Sequence, residues 1–156
     1  MKITAQEEYG VRCLLQIGGR GPETNLTIPE IARAEGLSTP YVAKLMRVLR
    51  RGGLVKSVRG QAGGYTLARP LGGITVAEAL AVLGGRLYEA EFCAQHHGKP
   101  EVCNRTTDCS IRFLWRSVQQ VVDQVLSKAT LQDLLPNRGA GPSPSAPVQL
   151  TVARSN

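Results

Sequence analysis

The segment 92–110 concentrates the side chains that could bind a metal. It holds three of the four cysteines and both histidines of the chain: Cys93, Cys103, Cys109, His96 and His97. Nine and five residues separate the successive cysteines, in a sequence rich in Gly, Asn, Asp and Thr. Such a loop can fold back and bring its thiolates together, and sulfur ligands select zinc, copper(I) or iron–sulfur clusters over hard ions such as magnesium. The segment therefore predicts a soft-metal site or a redox-active thiol site.

The cysteine spacing alone leaves the kind of site open. An iron–sulfur cluster needs four ligands, and the segment offers three thiolates. The spacing also lacks the paired CxxC of a zinc ribbon. Short cysteine spacings in a cytosolic chain more often indicate metal or redox chemistry; the alternative is a loop with incidental thiols, one pair of them oxidised.

The positive charge of the chain is concentrated in one window. The net charge is +7, from 19 basic and 12 acidic residues. Between Glu35 and Glu78 there is no acidic residue, and the window holds seven cations: Lys44, Arg47, Arg50, Arg51, Lys56, Arg59 and Arg69. The excess charge therefore lies wholly in this window. A solvated surface usually mixes charges of both signs, so the window indicates a polyphosphate partner such as DNA.

Helix-capping residues predict a helix-turn-helix in the N-terminal half. Capping boxes of the form Thr-x-x-Glu begin at Thr4 and Thr27 and predict the starts of two helices, the first over 5–17. Gly36 favours the end of the second helix, and a third begins at 39–40 after only two more residues. Two helices joined by so tight a turn, with basic residues following, are typical of DNA-binding proteins.

The first helix carries the fourth cysteine. Cys13 lies one turn from Tyr9 on a half-apolar helix, so it is interpreted as a small core residue and excluded from the metal site. Glu8 and Arg12 lie four residues apart on the polar side and are expected to pair with each other.

The third helix and the sequence after it carry the candidate DNA contacts. Its apolar residues recur at helical spacing and predict a buried face: Val42, Leu45, Met46 and Leu49. The opposite face would meet base edges with its first residues and phosphates with its cations: Thr39, Pro40, Tyr41, Lys44, Arg47 and Arg51. Period-two patterns over 54–59 and 65–68, around a glycine-rich turn, indicate a two-stranded wing. Arg59 and Gly60 at its tip are expected to enter the minor groove.

A long amphipathic helix is predicted after the cysteine segment. From Ser110 its apolar residues form one stripe of about four turns: Ile111, Leu114, Trp115, Val118, Val121, Val122, Val125 and Leu126. That is more than a small winged domain needs, so the stripe indicates a dimer interface. The alternative is a helix packed on its own subunit.

The predicted fold is mainly α-helical with a small β-hairpin wing. Residues 1–85 are expected to form a winged helix-turn-helix, closed by a short helix from the capping box at Thr75 that buries Val76, Leu80 and Val82 or Leu83. Residues 86–110 form the cysteine-containing loop, 111–135 the dimerisation helix and a short capped helix, and 136–156 a disordered tail. No apolar run approaches the roughly 18 residues of a membrane span, and the protein is expected to be cytoplasmic.

These features together resemble one family of bacterial winged helix-turn-helix transcription factors, that of the iron–sulfur regulator IscR and the nitric-oxide-sensing repressor NsrR. The most specific stretch is GGLVKSVRGQAGGYTLARP at 52–70, which is similar to the family's GLVxSxRGxxGGYxLxRP wing; Trp115, six residues after Cys109, also matches. The resemblance covers about 1–135 and implies a homodimeric regulator, a repressor by expectation, that binds a pseudo-palindromic operator. Its affinity would change with the state of a [2Fe-2S] or [4Fe-4S] cluster that senses nitric oxide, redox state or iron supply.

The resemblance also implies the ligands of the cluster. Cys93, Cys103 and Cys109 match the three cysteine ligands, although the first gap is longer than is usual in the family. One branch has a histidine three residues after the last cysteine, where this chain has Arg112, which cannot ligate iron. The other branch uses an acidic residue on the first helix of the partner subunit, and Glu8 matches it. The second choice for the fourth ligand is His97 or His96.

Two other functions remain as alternatives. A metal-free thiol switch would use the same fold and cysteines, and a structural zinc site would take Cys93, Cys103, Cys109 and a histidine. An enzyme is not expected. The chain shows no nucleophile with its base, no phosphate-binding GxxxxGK loop and no paired-carboxylate site.

Overall fold

The computed structural model describes residues 3–21, 24–60, 63–86, 88 and 109–135. Its helices are α1 (Ala5–Gly19), α2 (Ile28–Glu35), α3 (Thr39–Arg51), α4 (Val76–Leu83) and α5 (Ser110–Leu126). Strands β1 (Val55–Val58) and β2 (Gly64–Leu67) lie between α3 and α4, and 3-10 turns occupy Leu71–Gly73 and Leu131–Leu134. The predicted fold class, mainly helical with a small hairpin, is confirmed. None of the helices in the described ranges is long and apolar enough to cross a membrane.

Several predictions concern residues that the structure does not describe. Cys93, Cys103, His96 and His97 lie outside the described residues, as does the tail 136–156. The expectations for the cysteine segment and for the tail therefore stay predictions.

The capping boxes form where the sequence predicts them, with one exception. The Thr4 side chain accepts the N–H of Glu7 at 3.2 Å, and the Glu7 carboxylate accepts the N–H of Thr4 at 2.7 Å. The same reciprocal pair forms at the start of α2. At α4 only half of the box is made: Thr75 accepts the N–H of Glu78 at 3.2 Å, but the Glu78 carboxylate pairs with Arg69 instead.

Helix α1 is longer than predicted. It continues through Gly18 and Gly19, whereas the sequence predicted an end near Ile17. A Cβ on Gly18 would come within 2.5 Å of the Leu71 side chain. The glycine therefore serves close packing of α1 on the turn before α4, and it does not end the helix.

The core lies between α1, α2, α3 and α4. The four apolar residues predicted for the buried face of α3 are all 0% exposed: Val42, Leu45, Met46 and Leu49. Leu14 and Ile17 of α1 and Ile31 of α2 pack in the same cluster. Burial of this stripe fixes which face of α3 is left for solvent.

The hairpin is attached to the loop that precedes α2. Strands β1 and β2 pair antiparallel, with Val55 opposite Leu67. Leu26 and Tyr65 exchange two backbone hydrogen bonds of 3.0 and 2.7 Å. A Cβ on Gly64 would lie 2.7 Å from the carbonyl oxygen of Leu26, so the hairpin and this loop approach closely only because residue 64 is glycine.

Helix α4 departs from the prediction at Leu80, whereas α5 leaves much of its predicted apolar stripe exposed, as a dimer interface requires. In α4 the buried residues are Ala79 and Leu83, with Val76 and Val82 partly buried, whereas Leu80 lines a groove between helices. On α5 the only described residue that is buried is Gln119. Large apolar residues of α5 remain exposed within the protomer: Ile111, Phe113, Leu114, Trp115 and Val125.

Candidate nucleic-acid interface and metal centre

The turn between α2 and α3 has the geometry of a helix-turn-helix. Gly36 ends α2 in the left-handed conformation, with φ of 66°. The N–H of Leu37 then donates to the carbonyl of Ala32 at 2.9 Å, and α3 begins at Thr39. This tight turn leaves Thr39 and Pro40 exposed at the N-terminus of α3, the end that meets base edges in DNA-binding proteins of this kind.

The cations of α3 point to solvent and form no ion pair with the acidic residues that the structure describes. Lys44, Arg47 and Arg51 are exposed, and the ion pairs within the described ranges involve none of them. Among the described residues, Arg69 is the one cation of the basic window with an ion pair, which it makes with Glu78. Unpaired cations on one helix face are what phosphate contacts require.

Tyr41 is partly used in packing. Its ring meets that of Tyr9 edge to face, with centroids 6.1 Å apart, and its side chain is half-buried. Tyr41 therefore connects the start of α3 to α1, and only part of it is available to DNA.

The tip of the hairpin is shaped by glycines. Gly60 has φ of 108°, a conformation that glycine adopts without strain. The N–H of Gly63 donates to the carbonyl of Gly60 at 2.9 Å, and a Cβ on Gly63 would lie 2.7 Å from that oxygen. Arg59 is exposed beside this turn, as a contact with the minor groove requires.

Arg12 pairs with Glu35 and not with Glu8, so that expectation was wrong. Its Nε lies 2.6 Å from Oε2 of Glu35, whose side chain is only 5% exposed. The hydrogen bond that Arg12 donates to the Glu35 carboxylate raises the pKa of Arg12 above its ordinary value. Arg12 pairs with Glu35 and not with Glu8 because a nearly buried carboxylate loses more free energy without a partner than an exposed one does. The side chain of Glu8 is exposed.

Glu8 lines an open groove between α1, α4 and α5. The groove has a volume of about 960 Å³. Its apolar walls come from Val11 of α1, Leu80 of α4, and Val122 and Leu126 of α5. The candidate fourth ligand is thus at the surface of a largely apolar groove, next to the helix that follows the cysteine segment.

The two described cysteines have opposite environments. Cys109 is the N-cap residue of α5, is half-buried and is a free thiol. Cys13 is 0% exposed in the core, and burial, with a smaller effect of Glu35, raises the pKa of its thiol to about 12. Cys13 is therefore a protonated core residue at neutral pH, as the sequence predicts, whereas Cys109 is available as a ligand.

The described part of the chain contains no group of three or more residues that could hold a metal. Of the predicted ligands, it includes only Cys109 and Glu8. The chemical type of these donors fits an iron–sulfur cluster, because soft thiolates bind such clusters. A thiolate at Cys109 would also be stabilised by the positive end of the α5 dipole.

The sequence did not predict a polar contact that joins α5 to the residues just before the cysteine segment. The Oε1 of Gln119 accepts a hydrogen bond from the backbone N–H of Tyr88, and Asp123 pairs with Arg86. The sequence did contain one sign of this contact: Gln119 is a polar residue between Trp115 and Val122 on the apolar side of the helix.

Comparisons with known proteins agree with this geometry. The family model Rrf2, described as an iron-dependent transcriptional regulator, matches residues 3–137. Protein rrf2 of Nitratidesulfovibrio vulgaris is 34% identical over 135 residues, 86% of this chain and 87% of that protein. The regulator IscR of Xenorhabdus nematophila is 31% identical over 138 residues, 88% of this chain and 81% of that protein.

Among solved structures, CymR, the global cysteine regulator of Bacillus subtilis, is similar with a TM-score of 0.68 and 30% identity. The match covers 86% of this chain and 95% of that one. The family, IscR and CymR are named as regulators, and none of the reported relatives is named as an enzyme.

Proposed function

The chain belongs to the Rrf2 family of transcriptional regulators, and from that premise we propose that it is a DNA-binding repressor controlled by an iron–sulfur cluster. Its operator affinity changes when a [2Fe-2S] or [4Fe-4S] cluster is gained, lost or modified by nitric oxide, redox state or iron supply. It acts in the cytoplasm as a homodimer on a pseudo-palindromic operator.

The observation that carries the DNA-binding part of the proposal is the unpaired charge on α3. Lys44, Arg47 and Arg51 project from the face opposite the buried stripe, and Arg59 extends the same charge to the hairpin tip. Thr39, Pro40 and Tyr41 at the start of α3 are the candidate base-edge contacts, and Gly60 allows close approach at the wing.

The exposed stripe of α5 supports a homodimer. Ile111, Leu114 and Val125 are each more than half exposed in the protomer, an apolar surface that isolated proteins seldom leave to water. Pairing of two such stripes would place the two copies of α3 on successive half-sites, about 34 to 36 Å apart.

The proposed ligands of the cluster are Cys93, Cys103 and Cys109 of one subunit and Glu8 of the other, with His97 or His96 as the second choice. Glu8 is supported by its place in the groove beside α5 and by the diversion of Arg12 to Glu35. When bound, the cluster supplies a redox- and nitric-oxide-sensitive centre. The chain's own residues hold it and connect α1 of one subunit to the loop of the other.

Such a connection would fix the relative orientation of the two recognition helices. If losing it costs two or three kcal/mol of simultaneous DNA contact, affinity falls by about 30- to 150-fold. By linkage, DNA would bias the state of the cluster by the same factor.

A metal-free thiol switch is the second candidate. The similarity to CymR, described as a global cysteine regulator, favours it, as does the free, half-buried thiol of Cys109. A structural zinc site of Cys93, Cys103, Cys109 and a histidine is the remaining alternative, and it would give colourless protein with about one zinc per chain.

The proposal is tested by operator binding with and without the cluster. An operator is first selected from genomic fragments, and its Kd is then measured for protein prepared anaerobically and for the same sample after removal of iron. We expect the two Kd values to differ by about 30- to 150-fold. Equal affinities would reject control by the cluster, and no selectable operator would reject DNA binding.

Glu8 is tested separately in the cluster-loaded protein. Glu8→Ala should change the visible absorption and the redox behaviour, whereas Glu8→Asp, which keeps a carboxylate, should change them less. An unchanged spectrum in Glu8→Ala would remove Glu8 from the ligand set and favour His97 or His96.

A further inference from the structure

A buried amide lies in the middle of α5. Gln119 is 5% exposed, and among the described residues it is the one polar residue that is buried. Its Oε1 accepts a hydrogen bond from the backbone N–H of Tyr88 at 2.8 Å, and its Nε2 donates to Oδ1 of Asp123 at 2.7 Å. The other oxygen of Asp123 pairs with Arg86. We call this chain of four residues the loop anchor: Arg86, Tyr88, Gln119 and Asp123.

The loop anchor attaches the loop to α5 through a buried amide, whose desolvation costs free energy. A buried amide must be hydrogen-bonded to avoid a penalty, and an apolar side chain at 119 would extend the surface between Trp115 and Val122 without that requirement. What the amide adds is direction, because its oxygen accepts from Tyr88 and its nitrogen donates to Asp123. It therefore fixes Tyr88 at one level of α5.

That level matters because Tyr88 lies near the start of the cysteine-containing loop predicted at 86–110, and Cys109 lies near its end. Cys109 and Gln119 lie ten residues apart in the sequence, which is about 15 Å along a helix. Cys93 follows Tyr88 by five residues, and such a segment spans at most about 17 Å. The hydrogen bond to Gln119 therefore holds Tyr88 about 15 Å along α5 from Cys109, a distance that five residues can span.

On the basis of the proposed cluster site, we propose that Gln119 and Asp123 position the start of the cysteine loop on α5 and so keep Cys93 within reach of Cys109. The loop anchor also connects the loop to the helix that carries the exposed apolar stripe. Gln119 and Asp123 act through the backbone of Tyr88, and neither is a ligand.

The test compares Gln119→Leu with Gln120→Leu, which makes the same change at the neighbouring, exposed glutamine. Anaerobic, cluster-loaded proteins are mixed with a chelator, and the loss of visible absorption is followed. Loss of the hydrogen bonds that hold the start of the loop should speed the decay on the order of tenfold in Gln119→Leu, with Gln120→Leu near wild type. Equal decay rates in all three proteins would overturn the proposal.

A swapped pair separates positioning from general stability. Gln119→Glu alone puts two carboxylates together and should behave like Gln119→Leu. Gln119→Glu combined with Asp123→Asn exchanges carboxylate and amide, so that the N–H of Tyr88 and the guanidinium of Arg86 again have acceptors and the net charge is unchanged. The double variant should restore the wild-type decay rate, and failure to do so would contradict the hydrogen-bond chain.

A second readout does not depend on the cluster. Hydrogen exchange of the backbone amide of Tyr88 in the cluster-free protein should be about five- to tenfold faster in Gln119→Leu than in wild type. Unchanged exchange would overturn the anchor itself. If wild-type protein holds no cluster but the exchange result is positive, the proposed cofactor fails while the loop anchor stands.

Discussion

At the residue scale, environment and not residue type decides which cysteines can do chemistry. Cys13 is enclosed in the core, where burial raises the pKa of its thiol to about 12, so its thiolate is negligible at neutral pH. Cys109 is a free, half-buried thiol at the start of α5. The two free thiols therefore differ in accessibility and in the ease with which they form a thiolate.

Substitution of the two cysteines should separate these roles. Cys109→Ala should abolish retention of iron and sulfide, whereas Cys13→Ala should retain both and lose about 1 kcal/mol of stability from the small cavity. Iron and sulfide assays and thermal unfolding measure the two effects. Retention of the cluster in Cys109→Ala would exclude this thiol as a ligand.

At the element scale, the absence of acidic residues from the basic window leaves α3 with an unpaired charged face. Lys44 and Arg47 have no ion pair with the described acidic residues, so they remain free to displace the counterions of DNA. The buried stripe on the other side of α3 holds this face in place.

Neutralising one of these cations should change the salt dependence of DNA binding. Lys44→Ala should reduce the slope of log K against log salt by about one unit. Lys128→Ala removes the same charge from an exposed position after α5 and should leave the slope unchanged. Identical slopes for both variants would place the DNA-binding surface elsewhere.

The hairpin tip offers a second test at this scale. In Gly63→Ala the new Cβ would lie 2.7 Å from the carbonyl oxygen of Gly60, so the turn must distort and Arg59 must move. Operator affinity should fall on the order of tenfold, the effect of losing one good contact. Gly73→Ala, where a Cβ would have nothing within 4 Å, is the control; equal affinities would show that the tip does not contact DNA.

The elements were predictable because their signals are local. The capping boxes at Thr4 and Thr27, the stripe of α3 and the hairpin each depend on residues a few positions apart. The pairing of Arg12 with Glu35 was not predictable, since it depends on how α2 lies against α1. The same holds for Gln119 and Tyr88, which are brought together only by the fold.

At the scale of the whole molecule, α5 carries an apolar stripe that the described part of its own protomer covers only in part. Leu114 and Ile111 are each 54% exposed. The groove beside α5 presents Glu8 near the helix that follows the cysteine segment. A dimer through the stripe would bring the loop of one subunit close to α1 of the other. A cofactor bound between them could then change the spacing of the two recognition helices.

A charge in the stripe should disrupt this dimer. Leu114→Asp should weaken self-association about 30-fold or more, because a carboxylate would be buried without a partner. Phe113→Asp introduces the same charge about 100° around the helix, at a side chain that is 75% exposed, and should leave the dimer intact. Sedimentation equilibrium measures both, and an unaffected Leu114→Asp dimer would contradict the assigned interface.

The most direct test of cluster control is the composition of the protein purified without oxygen. Visible absorption, iron and acid-labile sulfide are measured on the same sample. The proposed function predicts brown protein with matched amounts of iron and sulfide. Colourless protein without sulfide would contradict it, and zinc analysis of that sample would then distinguish a structural zinc site from a metal-free thiol switch.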